Sequence, residues 1–276
     1  MRRSLKMIAS ALALGMGLTV GLQAQAHEFH IHHDQCGFDT DYDVQVTTAG
    51  VAFDRDGGKP SSVFMHDGRL RVDGRDIAVS AADATRLRDY EAQVRALLPE
   101  VAGIAREGVD IGFSAMSSVV ATFAESPAER SRLVEKMNSR HRQALAQIDQ
   151  GIGSGVWKRH AMDDMMEDGI SDTVSELVST VAASAVKAAL SGDQSKVQAL
   201  EARADSLDKS IDQEVDARAD KLEKRADALC PRLVELDQLQ QQFQFRLGDG
   251  SRLQLLNHEN AHPAKAAPKQ PEVASR

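Results

Sequence analysis

The sequence predicts an α+β protein, predominantly α, in which a small amino-terminal antiparallel sheet precedes an elongated antiparallel helical bundle. Aromatic residues make up only 4% of the 276 residues, which is typical of long helices rather than of a sheet-rich core. Between 42 and 80, short alternating apolar runs are separated by turn residues, and from 81 to 245 apolar residues recur every three or four positions. The first pattern indicates strands, and the second indicates amphipathic helices.

The first 26 residues have the pattern of a secretory signal peptide. Three basic residues precede a charge-free apolar run from 7 to 22, and residues 24–26 (Ala-Gln-Ala) form a small-x-small cleavage site. The run is too short and wrongly flanked for a membrane anchor. No later stretch approaches the roughly 20 apolar residues that a spanning helix needs. We therefore expect cleavage after Ala26, export, and a mature protein without a transmembrane segment.

The charge balance excludes some classes of partner. The chain has 33 Lys and Arg against 41 Asp and Glu, a formal net charge of −8. Removal of the three basic residues of the signal peptide makes this charge still more negative. Such a balance argues against nucleic acid and anionic membrane surfaces as partners.

The chain contains two cysteines, Cys36 and Cys230. In an oxidising compartment, two lone cysteines most simply form one disulfide bridge. The alternative is a pair of free thiols or a thiolate nucleophile, but the sequence has no C-x-x-C motif. The bridge is the favoured interpretation.

The region 42–80 predicts a sheet of four or five antiparallel strands. Asp-Gly pairs at 67–68 and 73–74 lie between runs of alternating apolar residues. Asp and Gly tolerate the positive φ angles that tight hairpin turns need, so this pattern is a strong hairpin signal.

The first helix is predicted to begin after Ser80, because Ser80 and Asp83 resemble a capping box, and to continue as one pass to about Ala124. Pro99 falls within an unbroken apolar stripe, which favours a kink over an end. The positions of that stripe are Leu87, Tyr90, Val94, Leu97, Val101, Ile104, Gly108, Ile111 and Ala115.

Three further helices are predicted. One begins at 126–129 (Ser-Pro-Ala-Glu), with a cap, an N1 proline and an N3 glutamate, and ends at the glycine cluster 151–155. The next extends from Asp163 to Leu190. The last and longest extends from Val197 to Leu236, and its heptad phase slips between Ile211 and Ala219, as in a stutter.

The cysteines select the topology. Cys36 lies beside the sheet and Cys230 near the end of the last helix, so they meet only if the helices make an even number of passes. Four antiparallel passes over 81–245 satisfy this condition. Residues 246–276 form a C-terminal segment, and from about Asn260 the Ala, Pro, Lys and Gln composition predicts a disordered tail.

The order of several motifs is similar to that of the YggN-like family, a group of exported proteins of Gram-negative bacteria with no assigned function. The motifs are Cys36, the sequence DGRLRVDG at 67–74, Asp89-Tyr90, Leu98-Pro99 and Cys230. The resemblance covers roughly residues 36 to 245. It implies a periplasmic location and supports pairing of the two cysteines, and it brings no activity.

Residues 27–41 form a His-rich arm that carries the first cysteine. His27, His30, His32 and His33 are candidate ligands for Zn²⁺ or Cu²⁺. Their spacing fits neither a helical site nor a closed tetrahedral site. A polar arm without metal is therefore the leading interpretation, weak zinc or copper binding is the alternative, and no other cofactor is predicted.

Two other patterns are interpreted as structural. Asp39, Asp41 and Asp43 resemble a calcium loop, but Val44 and Gly50 stand where an EF-hand has Gly and Glu, so a turn into a strand is predicted. The cluster 151–155 follows a helical pattern and not a strand, which excludes a nucleotide loop.

The histidines and methionines further along the chain are interpreted as buried residues on the apolar faces of helices. His160, Met162, Met165 and Met166 could bind copper, but they are interpreted as core residues. His141 lies on an apolar stripe and is expected to be buried with a hydrogen-bond partner.

No catalytic constellation stands out, so the predicted function is that of an exported helical protein with a non-catalytic binding, structural or chaperone-like role. Its partner would be another protein or a second copy, bound through the helices. The charged last helix is expected to present a solvated face, whereas Gly108, Gly112 and Ala115 would allow another helix to approach closely. The first alternative is a metal-binding accessory protein that uses the His-rich arm. The second alternative is an enzyme of unrecognised type.

Overall fold

The computed structural model describes residues 36–124, 126–159, 194–211 and 215–258, together with single positions between 175 and 190 (175, 176, 178, 179, 182, 183, 186, 187 and 190). The signal peptide, residues 27–35 of the His-rich arm and the C-terminal tail lie outside the described residues. So does most of the predicted helix from Asp163 to Leu190, although the single positions are all helical.

The described residues are predominantly helical with a small amino-terminal sheet, which confirms the predicted fold class. The strands are β1 (Phe38–Asp39), β2 (Asp43–Thr47), β3 (Gly50–Asp54), β4 (Ser62–His66), β5 (Arg69–Val72), β6 (Arg75–Ile77), β7 (Val156–Trp157) and β8 (Asn257–His258). The helices are α1 (Ala81–Phe123), α2 (Pro127–Gln150), α3 (Gln194–Ile211), α4 (Ala217–Asp227) and α5 (Cys230–Gln241).

The main sheet has six antiparallel strands in the order β6-β5-β4-β3-β2-β7. Five come from the region 42–80, as predicted, and β7 is an addition that the sequence analysis missed. After α2 ends, Gly155 adopts a φ of 92° and its carbonyl accepts a hydrogen bond from the amide of Val46. A Cβ on Gly155 would lie 2.6 Å from the Val46 carbonyl oxygen, so the close approach of β7 to β2 requires glycine. The cluster 151–155 therefore both ends a helix and starts a strand.

The predicted Asp-Gly hairpins are confirmed. Asp67 and Asp73 have φ angles of 46° and 47°, and the glycines that follow them also have positive φ, as the primed hairpin turns require. A Cβ on Gly68 would lie 2.6 Å from the Ala84 carbonyl oxygen. The first turn is thus pressed against the first turns of α1.

One apolar core joins the sheet to the amino-terminal half of α1, and we call it the sheet core. Alternate strand residues such as Val51, Val63 and Met65 are fully buried, as are Leu87 and Tyr90 of α1. The chain after α5 completes this core with Phe243 and Phe245 and, from the C-terminal segment, with Leu247, Leu253, Leu255 and Leu256. β8 then pairs with β1, so the described end of the chain returns to its described beginning.

A second cluster, which we call the arm core, lies between the carboxyl-terminal half of α1 and α2. Its buried residues are Phe113, Val120, Ala124, Leu133, Met137 and Ala144. α1 passes from one core to the other as a single helix of 43 residues that includes Pro99, about 64 Å long at the standard rise. The buried positions therefore change along α1, from the predicted stripe in its first half to Phe113, Val120 and Phe123 in its second.

The predicted helix caps are confirmed, but the prediction of a single last helix from Val197 to Leu236 is wrong. Ser80 and Ser126 accept hydrogen bonds from the amides three residues later. The last predicted helix is interrupted at residues 228–229, between α4 and α5, while residues 212–214, between α3 and α4, lie outside the described residues. α1 is longer than α3, α4 or α5. A π-helical turn at 215–216 coincides with the predicted phase slip. Pro231, in the first turn of α5, has no amide to continue an earlier helix, which accounts for the break near Ala228.

The paired helices are antiparallel where contacts define their direction. α1 and α2 are joined by Asp110 with His141 and by Arg106 with Asp149. α1 and α4 meet at Glu107 with Arg218 and at Gly103, which faces Arg225. Most of the third predicted pass lies outside the described residues. Within the described part of the chain, no helix is both long and apolar enough to cross a membrane.

Candidate interaction surface

The two predicted disulfide cysteines are joined, with their Cα atoms 5.3 Å apart and a sequence separation of 194. The bridge ties the start of the described chain to the start of α5. Free thiols and a thiolate nucleophile are thereby excluded in this structure. The predicted metal ligands His27, His30, His32 and His33 lie outside the described residues, and so do His160 and the methionines after it. Across the ranges that are described, His, Cys, Asp and Glu form no group of three or more that could hold a metal ion.

The acidic run before β2 is structural, as predicted. Asp41 lies 3.5 Å from a guanidinium nitrogen of Arg55. The Asp43 carboxylate accepts a hydrogen bond from the amide of Arg159, just beyond β7.

His141 has the expected partner but is only half-buried, which corrects the prediction. Its Nε2 lies 2.6 Å from the Asp110 carboxylate, and its ring lies 4.9 Å from that of Phe113. The histidine therefore joins α2 to α1 at the edge of the arm core. On this side of α2, the positions of Met137 and Ala144 are buried instead.

Two buried carboxylates of α1 join the helix to other parts of the chain, Asp83 to the segment after α5 and Glu91 to the turn between β4 and β5. Asp83, which is 1% exposed, accepts hydrogen bonds from the amide of Gln244 and from Arg86. Glu91 accepts from the amide of Asp67 and from Arg95, and lies 3.4 Å from His66.

The pKa of the Glu91 carboxyl reflects opposing effects. Burial raises this pKa, but the hydrogen bonds from Arg95, Asp67 and His66 together hold it below its ordinary value. Glu91 is therefore ionised and fully engaged in fixing the hairpin turn to the helix, an arrangement that serves structure rather than proton transfer.

A polar cleft lies between α5 and the C-terminal segment, with a volume of about 350 Å³ and a lining that includes Arg252 and His258. Its one carboxylate, Asp237, accepts hydrogen bonds from Gln240 and Gln241. Gln240 itself binds the amides of Leu255 and Leu256. Asp237 and Gln240, which the sequence analysis did not identify, thus hold the C-terminal segment against α5.

The most unusual surface lies on the single helical positions after Ser175. Val178 is 60% exposed, Val186 is 57% exposed and Leu190 is 83% exposed. With Ala182, which is also exposed, these residues are spaced by four and lie along one side of the helix. We call Val178, Ala182, Val186 and Leu190 the apolar stripe. In the described part of the chain, Val234 is the other exposed large apolar residue, at 40%.

The helix that carries the apolar stripe is attached to α2 by charge. Glu176 accepts hydrogen bonds from Arg132, at 2.8 Å, and from Lys136. These hydrogen bonds, with that from Lys136 the stronger influence, lower the pKa of the Glu176 carboxyl. Glu176 and Val178 are two positions apart and so point to different sides of the helix. One side is therefore bound to α2, and the apolar stripe faces solvent.

The charged face of the last predicted helix is solvated where it is described. Asp205, Lys209, Asp216 and Lys221 are exposed. Gly108 does face another helix, as expected for a small residue, because a Cβ there would lie 3.6 Å from Leu222 of α4. At Gly112 none of the described residues lies within 4 Å of such a Cβ.

One protein family matches the chain, over residues 36–256, and its description is "Protein of unknown function (DUF2884)". The chain belongs to this family. The match is consistent with the YggN-like resemblance. It begins at Cys36 and leaves out residues 27–35 of the His-rich arm and the C-terminal tail. No curated protein and no solved structure gives a significant match.

Proposed function

We propose that this protein is exported to the periplasm and acts there without catalysis, as a chaperone-like protein that holds apolar segments of other protein chains on its apolar stripe. The observation that carries the proposal is the exposure of Val178, Val186 and Leu190 along one side of a helix. Exposed apolar residues at regular helical spacing are typical of surfaces that bind another chain.

Export is supported by two independent features. The amino terminus has the charged start, apolar run and Ala-Gln-Ala end of a cleavable signal. The bridge between Cys36 and Cys230 is of a kind that persists in oxidising compartments.

The composition of the surface supports an unspecific apolar ligand. The described positions of the apolar stripe itself are valine, alanine and leucine, the described charge beside it is Lys187, and Glu176 is engaged with α2. Recognition would then depend on burial of apolar area, at about 25 cal/mol per Å², and not on charge. An unfolded segment rich in apolar side chains is the ligand that fits this chemistry.

A test is the suppression of heat-induced aggregation of citrate synthase by the mature, oxidised protein. We expect the wild-type protein to suppress light scattering, and the triple variant Val178→Ser, Val186→Ser, Leu190→Ser to lose this effect. Val234→Ser is the matched control, because it removes an exposed valine outside the apolar stripe. Equal protection by the triple variant and the wild type would contradict the proposal.

Location is tested separately. Cell fractionation should place the protein in the periplasm, and mass spectrometry of the mature chain should give His27 as its first residue. A protein that keeps its first 26 residues in the cytoplasm would refute export whatever its behaviour in the aggregation assay.

A further inference from the structure

We propose that the apolar stripe also binds a second copy of this chain, in an antiparallel homodimer whose two-fold axis passes beside Ala182. The inference rests on the proposed function only in using the same surface. It adds a defined partner and a defined register.

The spacing of the apolar stripe is symmetric about Ala182. Val178 and Val186 are each four residues from it, so a two-fold axis at Ala182 brings Val178 of one copy against Val186 of the other. A closed dimer of this kind needs a self-complementary patch, and the order Val, Ala, Val provides one. Val178 and Val186 are also almost equally exposed, at 60% and 57%.

The side-chain sizes suit a helix crossing at this point. Rows of residues spaced by four on two helices interlock at an angle of about 50°, with the axes about 8–10 Å apart. The small Ala182 at the crossing point allows the close approach, and the valines on either side fill the space. Ser179 lies beside the row, and its hydroxyl donates to the carbonyl of Ser175 at 2.8 Å, so pairing leaves that donor satisfied.

Charge also allows two copies to meet here. The chain has a formal net charge of −8, so most contacts between two copies would bring carboxylates together. Among the described positions of this helix, the acidic one is Glu176, and it is bound to Arg132 and Lys136 of α2. Lys187 is exposed beside Val186, but in this register it lies opposite position 177 of the second copy, ten positions from the second Lys187. At the described positions of the apolar stripe, like charges therefore do not face each other.

The size of the patch limits the affinity. A stable interface buries about 800 Å² on each partner, and one side of a helix of about four turns supplies less. We therefore expect a dimer that dissociates at micromolar concentration and leaves the apolar stripe accessible to other chains.

The test combines sedimentation equilibrium of the mature protein with thiol cross-linking of single-cysteine additions. Cys36 and Cys230 are bonded to each other and do not react with a short bismaleimide. Ala182→Cys should cross-link to itself. Val178→Cys should cross-link when mixed with Val186→Cys and much less by itself, because in the antiparallel register two copies of residue 178 lie about eight positions apart. Val234→Cys is the control and should stay uncross-linked.

Two results would overturn the inference. A wild-type protein that stays monomeric up to about 100 μM, far above the expected dissociation constant, would exclude the dimer without any variant. Self-linking of Val178→Cys as strong as that of Ala182→Cys would indicate a parallel pair. In addition, Val186→Asp should weaken the dimer by about tenfold or more, since it places an unpaired charge in the contact, and Val234→Asp should not. Client protection by a strictly monomeric protein would leave the proposed function standing while this inference falls.

Discussion

The sheet core and the arm core are held together by different interactions. At the sheet core, large side chains such as Met65, Leu87 and Tyr90 are almost completely buried, buried carboxylates bind backbone amides, and a disulfide closes the structure. The arm core is a smaller apolar cluster, and ion pairs between α1 and α2 support it. One of these pairs is Arg106 with Asp149, whose side chains are 39% and 57% exposed. Exposed pairs of this kind contribute little to stability. The difference indicates that the sheet core provides most of the stability. The helices around the arm core instead provide a surface on which another chain can bind.

Removal of the disulfide is the change expected to have the largest effect. A bridge across 194 residues contributes about 5 kcal/mol to the free energy of unfolding in the chain-entropy model. The double variant Cys36→Ser, Cys230→Ser should lose stability on that scale in urea unfolding, and hydrogen exchange should increase first in 36–47 and 243–258. If exchange increased first in α2, the distinction between the two regions would be wrong.

A matched pair of leucine variants tests the distinction within the two cores. Leu87 belongs to the sheet core at 0% exposure, and Leu133 belongs to the arm core at 4%. Leu87→Ala should cost about 3–5 kcal/mol, because its surroundings cannot collapse into the cavity, and Leu133→Ala should cost about 2–3 kcal/mol. Chemical denaturation of both variants measures this, and a greater cost at Leu133 would reverse the assignment.

The parts of the fold that the sequence predicts are those set by local chemistry. Asp67-Gly68 fixes a turn by its backbone preference, and Ser80 caps α1 through an amide three residues away. β7 could not be found in this way, because Val156–Trp157 is two residues long and becomes a strand only through pairing with β2. Phe243, Phe245 and Leu247 alternate with polar residues, a period of two that indicates extended chain. That signal could have found the C-terminal part of the sheet core.

The candidate surface depends on tertiary context in the same way. The sequence analysis predicted the helix from Asp163 to Leu190 but did not single out Val178, Val186 and Leu190 as an exposed row. Which side of a helix with apolar residues all round is covered depends on its neighbours. Here the attachment of Glu176 to α2 decides it, and no local pattern encodes that contact.

The pH dependence of stability should separate two glutamates. The folded-state pKa of Glu91 lies below its ordinary value. Its contribution is therefore complete above the unfolded pKa of about 4.3 and is lost as the pH falls through the folded pKa. Glu91→Gln should reduce stability by about 1–3 kcal/mol at neutral pH and flatten the acid limb of the stability curve. Glu176 also has a lowered pKa, but Glu176→Gln should cost less than about 1 kcal/mol because its ion pairs are partly exposed. Equal acid limbs for the wild type and Glu91→Gln would contradict this assignment.

The smallest effect on stability is expected from the His-rich arm. If His27, His30, His32 and His33 bind Zn²⁺ or Cu²⁺ weakly, deletion of residues 27–34 should abolish the binding and leave the thermal midpoint nearly unchanged. Isothermal titration with each metal checks the first part, and calorimetry checks the second. Stoichiometric binding that survives the deletion would place the site elsewhere, with His160 and Met162 the next candidates.

The central claim is that the helix with the apolar stripe, which is attached to α2, binds other chains and that the sheet does not. Hydrogen exchange of the mature protein, measured by mass spectrometry with and without a heat-unfolded client chain, tests it most directly. We predict that the client slows exchange in peptides that cover 175–190 and leaves those that cover 42–80 unchanged. Slowed exchange confined to the sheet end, with 175–190 unaffected, would contradict the account.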